Sequence, residues 1–220
     1  MYSCPPRAGV LFFARPERAF SFFRIKIVLE AFLISTGIVA LAEMGDKTQL
    51  LALVLAARFK RPWPIVWGIL AATVLNHALA GLAGAWVMAA LGPDVMRWVL
   101  GISFVAMALW TLIPDKLDHD NAVPQRQMGV FFITTWAFFL AEMGDKTQIA
   151  TVALGAQYAP LYAVVVGTTL GMMLANAPVV FFGDAITRKL PIKLVHAVAA
   201  LIFAVLGVLT LLGVGKSFIG

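Results

Sequence analysis

The chain has 220 residues, 61% of them hydrophobic and 13% charged, with a formal net charge of +6. Soluble domains average about 45–50% apolar and about 25% charged residues, so the composition excludes an ordinary soluble domain and points to an all-α polytopic membrane protein. The basic residues lie in short stretches between apolar segments, where they orient spans, and no nucleic-acid partner is implied.

Residues 1–28 carry Arg7, Arg15, Arg18, Arg24 and Lys26 among several phenylalanines. They make neither a signal peptide nor a complete span. The expectation is a leader outside the functional unit, which would begin near residues 28–30. Each apolar stretch that follows is long enough for a crossing of roughly 20 residues. The spans are expected at about 30–57, 65–91, 95–113, 128–156, 161–182 and 194–212. All should be helical, because lipid leaves an open strand unsatisfied. Gly92-Pro93-Asp94 reads as a turn between the second and third spans. Residues 114–127, PDKLDHDNAVPQRQ, form the long polar linker. The single Cys4 can form no internal disulfide, and the three histidines have no metal-ligand spacing.

The string LAEMGDKTQ occurs twice, at 41–49 and at 140–148. The offset of 99 (142 minus 43) also pairs Gly68 with Gly167, His77 with Asn176 and Phe104 with Phe203. The chain is therefore a duplication, with one repeat over 30–113 and the other over 128–214. Three spans per repeat make the second enter the membrane from the opposite side. The expected architecture is six transmembrane helices as a 3+3 inverted-topology repeat, which places a substrate site near the bilayer midplane. Eight basic residues (Arg58, Lys60, Arg61, Lys116, Arg126, Arg188, Lys189, Lys193) fall on one side and, leaving out the leader, whose five basic residues argue the other way, two, Arg97 and Lys216, on the other. The basic side is cytoplasmic, so both termini are expected outside.

Charge at membrane depth is costly and is kept for a task. Positions i and i+3 share a helix face, so Glu43 and Asp46 are expected to point together, as are Glu142 and Asp145. Thr48 and Gln49, with Thr147 and Gln148, extend the oxygen set. Gly45 permits close backbone approach or local unwinding. An all-oxygen cluster suits hard or borderline divalent cations such as Ca²⁺, Mg²⁺ and Mn²⁺. Lys47 is i+4 from Glu43, an ion-pair spacing, and is expected to balance the empty site, as is Lys146 in the second copy. Clustered carboxylates titrate as a set, so one site can hold protons or a cation in turn. Asn76, His77 and Asn176 lie inside spans two and five, where they either bond between helices or line the cation path. Met44 and Met143 sit about 100° round the helix from the acids, which favours packing.

The doubled E-x-G-D-[KR]-[ST] string, here EMGDKT at 43–48 and 142–147, resembles the signature of the Golgi-type calcium/manganese transporter family. That family was first catalogued as an uncharacterised membrane family, and its bacterial members are manganese exporters. The resemblance covers residues 30 to about 214. It implies six helices, export of Mn²⁺ or Ca²⁺ as substrate, proton exchange and the motif acids as ligands. For a compact bacterial-style chain it implies an inner-membrane protein, no resident cofactor and no catalytic residue. Oligomeric state does not follow from it. The alternative reading is an amino-acid exporter of similar helical architecture, in which Lys47 and Lys146 would meet the substrate carboxylate. An intramembrane aspartyl protease with an Asp46–Asp145 dyad fits less well, because a lysine follows each aspartate.

Overall fold

A computed structural model describes residues 16–113, 129–183 and 192–213. Among them every regular element is a helix: α1 (Pro16–Glu43), α2 (Lys47–Phe59), α3 (Pro62–Thr111), α4 (Val130–Glu142), α5 (Lys146–Gln157), α6 (Leu161–Phe182) and α7 (Ile192–Leu211). Four helical stretches are long and apolar enough to cross a membrane: Arg24–Glu43, Pro62–Thr111, Leu161–Phe182 and Lys193–Leu211. Val130–Glu142 is a shorter apolar helix. α1 starts at Pro16, so part of the expected 1–28 leader is helical and continuous with the first span. Residues 1–15 and the 114–127 linker lie outside the described residues.

Two expectations are corrected. The stretches 30–57 and 128–156 are not continuous helices. Each is interrupted at the motif, between α1 and α2 and between α4 and α5. Conversely, the second and third spans form one 50-residue helical element, α3. A straight helix of that length would measure about 75 Å at 1.5 Å per residue, far beyond a hydrocarbon core of about 30 Å. Gly92 resolves the conflict, with a non-helical φ of 73° and ψ of 170°, and Pro93 follows it. A cavity of about 60 Å³ is lined by Gly84 and Val87 from one arm of α3 and by Met96 and Leu100 from the other. The two arms therefore lie side by side, and the chain reverses at Gly92.

Lipid tails are as apolar as the helix surfaces, so association depends on close packing at small residues rather than on expelling water. The contacts made that way are reciprocal between the halves. A Cβ on Gly68 in α3 would meet Thr134 and the Phe131 carbonyl of α4 at 2.7 and 2.8 Å. One on Gly167 in α6 would meet Ser35 and the Phe32 carbonyl of α1 at 3.0 and 2.6 Å. The three pairs, Gly68 with Gly167, Ser35 with Thr134 and Phe32 with Phe131, are each related by the same offset of 99 (167 minus 68). Equivalent residues also meet each other directly. The Phe104 and Phe203 rings stack with centroids 6.3 Å apart and planes 27° from parallel. The second α3 arm thus packs on α7, while α1 packs on α6, and the acids at both motif interruptions are buried.

Candidate metal centre

The two interruptions have nearly the same backbone. Gly45 and Gly144 take φ of 81° and 76°, the left-handed region that an L side chain enters at a cost of about 1–2 kcal/mol. Asp46 and Asp145 follow in extended conformation, at φ/ψ of −79°/169° and −79°/163°. The Asp46 amide donates to the Glu43 carbonyl at 3.1 Å, and the Asp145 amide to the Glu142 carbonyl at 3.1 Å. Glycine ends the first helix because only it turns there without strain, and the aspartate then opens the next.

An aspartate at that position normally accepts a hydrogen bond from the first turn of its helix. Neither carboxylate does so here. The glutamine at the third helical position accepts instead, one residue further back: the Gly45 amide donates to Gln49 Oε1 at 3.0 Å and the Gly144 amide to Gln148 Oε1 at 2.7 Å. Gln49 Nε2 also donates to the Ala175 carbonyl of α6 at 2.9 Å. The glutamines expected as extra oxygens of the site are therefore engaged in shaping the loop, which leaves the aspartates for other partners.

Those partners are lysines of the opposite copy. Lys146 Nζ lies 2.6 Å from Asp46 Oδ1, and Lys47 Nζ lies 3.3 Å from Asp145 Oδ1. The expected Glu43–Lys47 pairing assumed an unbroken helix, and the loop removes that geometry. The shared-face argument fails for the same reason, yet the acids still converge. Oxygens of Glu43, Asp46 and Asp145 lie within 4.8 Å of one another, all buried. Glu142 is buried too and accepts from Thr147 Oγ1 at 3.1 Å, the same hydroxyl lying 3.5 Å from Asp145 Oδ2. Both Glu43 oxygens, Glu142 Oε1 and Thr48 Oγ1 have no hydrogen-bond partner among the described residues.

The remaining predicted residues separate. Asn76 Nδ2 donates to the Phe139 carbonyl at 3.1 Å and ties α3 to α4. Asn176 Nδ2 donates within its own helix to the Met172 carbonyl at 3.2 Å, leaving Oδ1 buried without a partner among the described residues. His77 is buried, with neither ring nitrogen bonded among the described residues. Met143 does not pack inside the protein, being 55% exposed. Sequence reasoning missed His196, whose Nε2 lies 2.7 Å from the Met44 carbonyl.

The family described as "Divalent cation/proton antiporter GDT1" matches residues 31–119 and 130–217. The chain belongs to this family. The two matched segments of this GDT1-family chain each contain one motif copy and start 99 residues apart (130 minus 31). A Vibrio cholerae protein named "Putative manganese exporter" is 51% identical over 184 residues, covering 83% of this chain and 91% of that protein. A GDT1-like protein of Synechocystis is 25% identical, covering 83% and 97%. The yeast "Divalent cation/proton antiporter GDT1" is 21% identical, covering 80% and 81%. No solved structure matches the chain.

Proposed function

We propose that this chain is a secondary active transporter that exports a divalent cation, Mn²⁺ ahead of Ca²⁺, in exchange for protons. The cation is its substrate. Glu43, Asp46, Glu142 and Asp145 form the shared cation and proton site, with Thr48 and Thr147 as neutral oxygens. The observation that carries this reading is a charge count in a buried space. Four carboxylates face two lysine ammonium groups, so full ionisation leaves two negative charges, the complement of one divalent ion. Each lysine sits on an aspartate, and the Glu43 carboxylate, with no hydrogen-bond partner among the described residues, is left to take either a proton or the metal. The preference for Mn²⁺ follows the name of the Vibrio cholerae relative.

A 3+3 inverted repeat with six crossings supports this activity. It counts α1–α2 and α4–α5 as one broken crossing each and α3 as two. The crossed lysine–aspartate pairs, the reciprocal glycine contacts and the Phe104–Phe203 stack are what a two-fold relation between halves would produce. Broken helices facing each other at the midplane are a recurrent way to build ion sites in such transporters. His77 and Asn176, at equivalent positions with unpartnered polar atoms, line the approach beside Asn76. The basic-residue asymmetry supports a cytoplasmic linker and both termini outside a bacterial inner membrane. The amino-acid reading loses support, because the lysines that would bind a substrate carboxylate are engaged with Asp46 and Asp145.

Purified full chain in sealed vesicles tests the reading. An imposed pH gradient should drive labelled Mn²⁺ uphill, with protons moving the opposite way. Metal movement indifferent to the gradient, or movement of a labelled amino acid instead, would overturn it.

A further inference from the structure

The two halves share a motif but not its surroundings. The Met44 carbonyl lies just past the end of α1, where a helix leaves carbonyls without intrahelical donors. His196 of α7 supplies one: a carbonyl only accepts, so Nε2, 2.7 Å away, carries the proton and donates. Met143 at the equivalent position past α4 is 55% exposed. The residue equivalent to His196, at the offset of 99 (196 minus 97), is Arg97. It is a donor too, three residues after Asp94 near the start of the arm. It is turned onto its neighbour, with its guanidinium carbon 5.4 Å from the Trp98 ring centroid and Nε buried without a partner among the described residues.

The helices bearing these residues are placed unequally. α7 packs on α1, the arm before the first break. The second arm of α3 shares a cavity with Ile149 and Val152 of α5, the arm after the second break. Repeats arranged alike would set the α3 arm against α4 as well, yet its buried Met96, Leu100 and Phe104 share a core with residues of α1, α5 and α7, while the buried Ile133, Ala137 and Phe138 of α4 belong to a separate one. A duplicated chain with two inequivalent placements has a counterpart in which the placements are exchanged, and gating of one repeat against the other is how such folds alternate access.

We propose that His196 and Arg97 are reciprocal caps: His196 holds the Met44 carbonyl in the described state, and Arg97 takes the Met143 carbonyl in the oppositely facing state. Both are positioning residues, acting through the loops that carry Glu43, Asp46, Glu142 and Asp145. This rests on the transporter reading for its purpose, but the structural exchange can be read without any cargo.

The experiment uses full chain in vesicles, in a Cys4→Ser background, with one reporter thiol at a time from Met44→Cys or Met143→Cys. A water-soluble maleimide measures how fast each thiol reacts. With both caps present, the thiol at 143 reacts faster than that at 44. His196→Ala should raise the rate at 44 and lower it at 143, changing their ratio about tenfold, which one hydrogen bond of ~1.4 kcal/mol would produce. Arg97→Ala should move the ratio the other way. His196→Gln, whose amide keeps a donor, should return the ratio toward the starting value. An unchanged ratio, a shift in the same direction for both alanine variants, or a rise at 44 with no fall at 143 would overturn the proposal. If His196→Ala is not recovered as folded protein, the sign of the Arg97→Ala shift decides alone. The reading survives or fails whether or not Mn²⁺ moves, so loss of the transport proposal would be seen separately.

Discussion

Residues 41–49 and 140–148 are the same nine amino acids with nearly the same backbone angles, yet they sit in different environments. In one ion pair Lys146 and Asp46 are both fully buried. In the other, Lys47 keeps 24% of its side-chain surface while Asp145 is buried. Thr147 donates to Glu142, whereas Thr48 Oγ1 has no partner among the described residues. The local sequence thus determines the loop, and the helices packed over it determine the electrostatics. A duplicated site need not be symmetric at any moment, and a transporter uses that freedom.

The largest expected effect breaks both copies. Glu43→Gln, Glu142→Gln, Asp46→Asn and Asp145→Asn should each reduce metal-driven proton exchange to background, measured in vesicles, because a divalent ion left without its counter-charge in a low dielectric is penalised by several kcal/mol. Four variants exchanging at the unsubstituted rate would place the site elsewhere. The aspartates should also differ in stability. Asp46→Asn removes the carboxylate facing a fully buried ammonium, a loss expected to cost ~3–5 kcal/mol. Asp145→Asn strands a lysine that still reaches solvent or headgroups, and should cost about 1 kcal/mol. Thermal unfolding in detergent compares them, and an Asp145→Asn loss equal to that of Asp46→Asn would show the copies to be equivalent after all.

Much of this comparison was legible beforehand. The acids, their lysines, the duplication and the apolar stretches all follow from residue identity and spacing. The crossed ion pairs did not, because i+4 reasoning presumes an unbroken helix, whereas α1 ends at Glu43 and Gly45 turns the chain two residues later. The correct signal was present in Gly45 itself, since a glycine beside an aspartate is a helix stop followed by a helix start. The loop-shaping bonds of the glutamines were equally invisible: an oxygen-bearing residue type says nothing about whether one of its lone pairs already serves a loop. His196 was invisible as a partner of Met44, because a contact across 152 residues leaves no local pattern.

A smaller effect comes from the loop glycines. Nothing lies within 4 Å of a Cβ built on Gly144, so Gly144→Ala tests backbone conformation alone. The left-handed φ of 76° should cost about 1–2 kcal/mol and slow exchange without abolishing it. Asparagine, which enters that region more readily, should recover part of the loss. Equal damage from both substitutions would mean that side-chain bulk, not φ, matters at that position.

The smallest effect separates the two glutamines. Replacing either with leucine removes the acceptor for a glycine amide, Gly45 in one copy and Gly144 in the other. A net hydrogen bond contributes about 1 kcal/mol, so each variant should lose about that much in unfolding experiments. Gln49→Leu also removes the donor to the Ala175 carbonyl, and that bond joins the first motif to α6 in the other half. Its loss should therefore be about twice that of Gln148→Leu by the same bookkeeping. Gln49→Glu refines the result further, because glutamate keeps an acceptor for Gly45 while losing the donor to Ala175 and adding charge beside four acids. If it destabilises no more than leucine does, the inter-half bond carries the difference between the copies. If leucine at both positions costs the same, the Ala175 contact adds nothing, and the asymmetry of the two loops lies wholly in the helices that cover them.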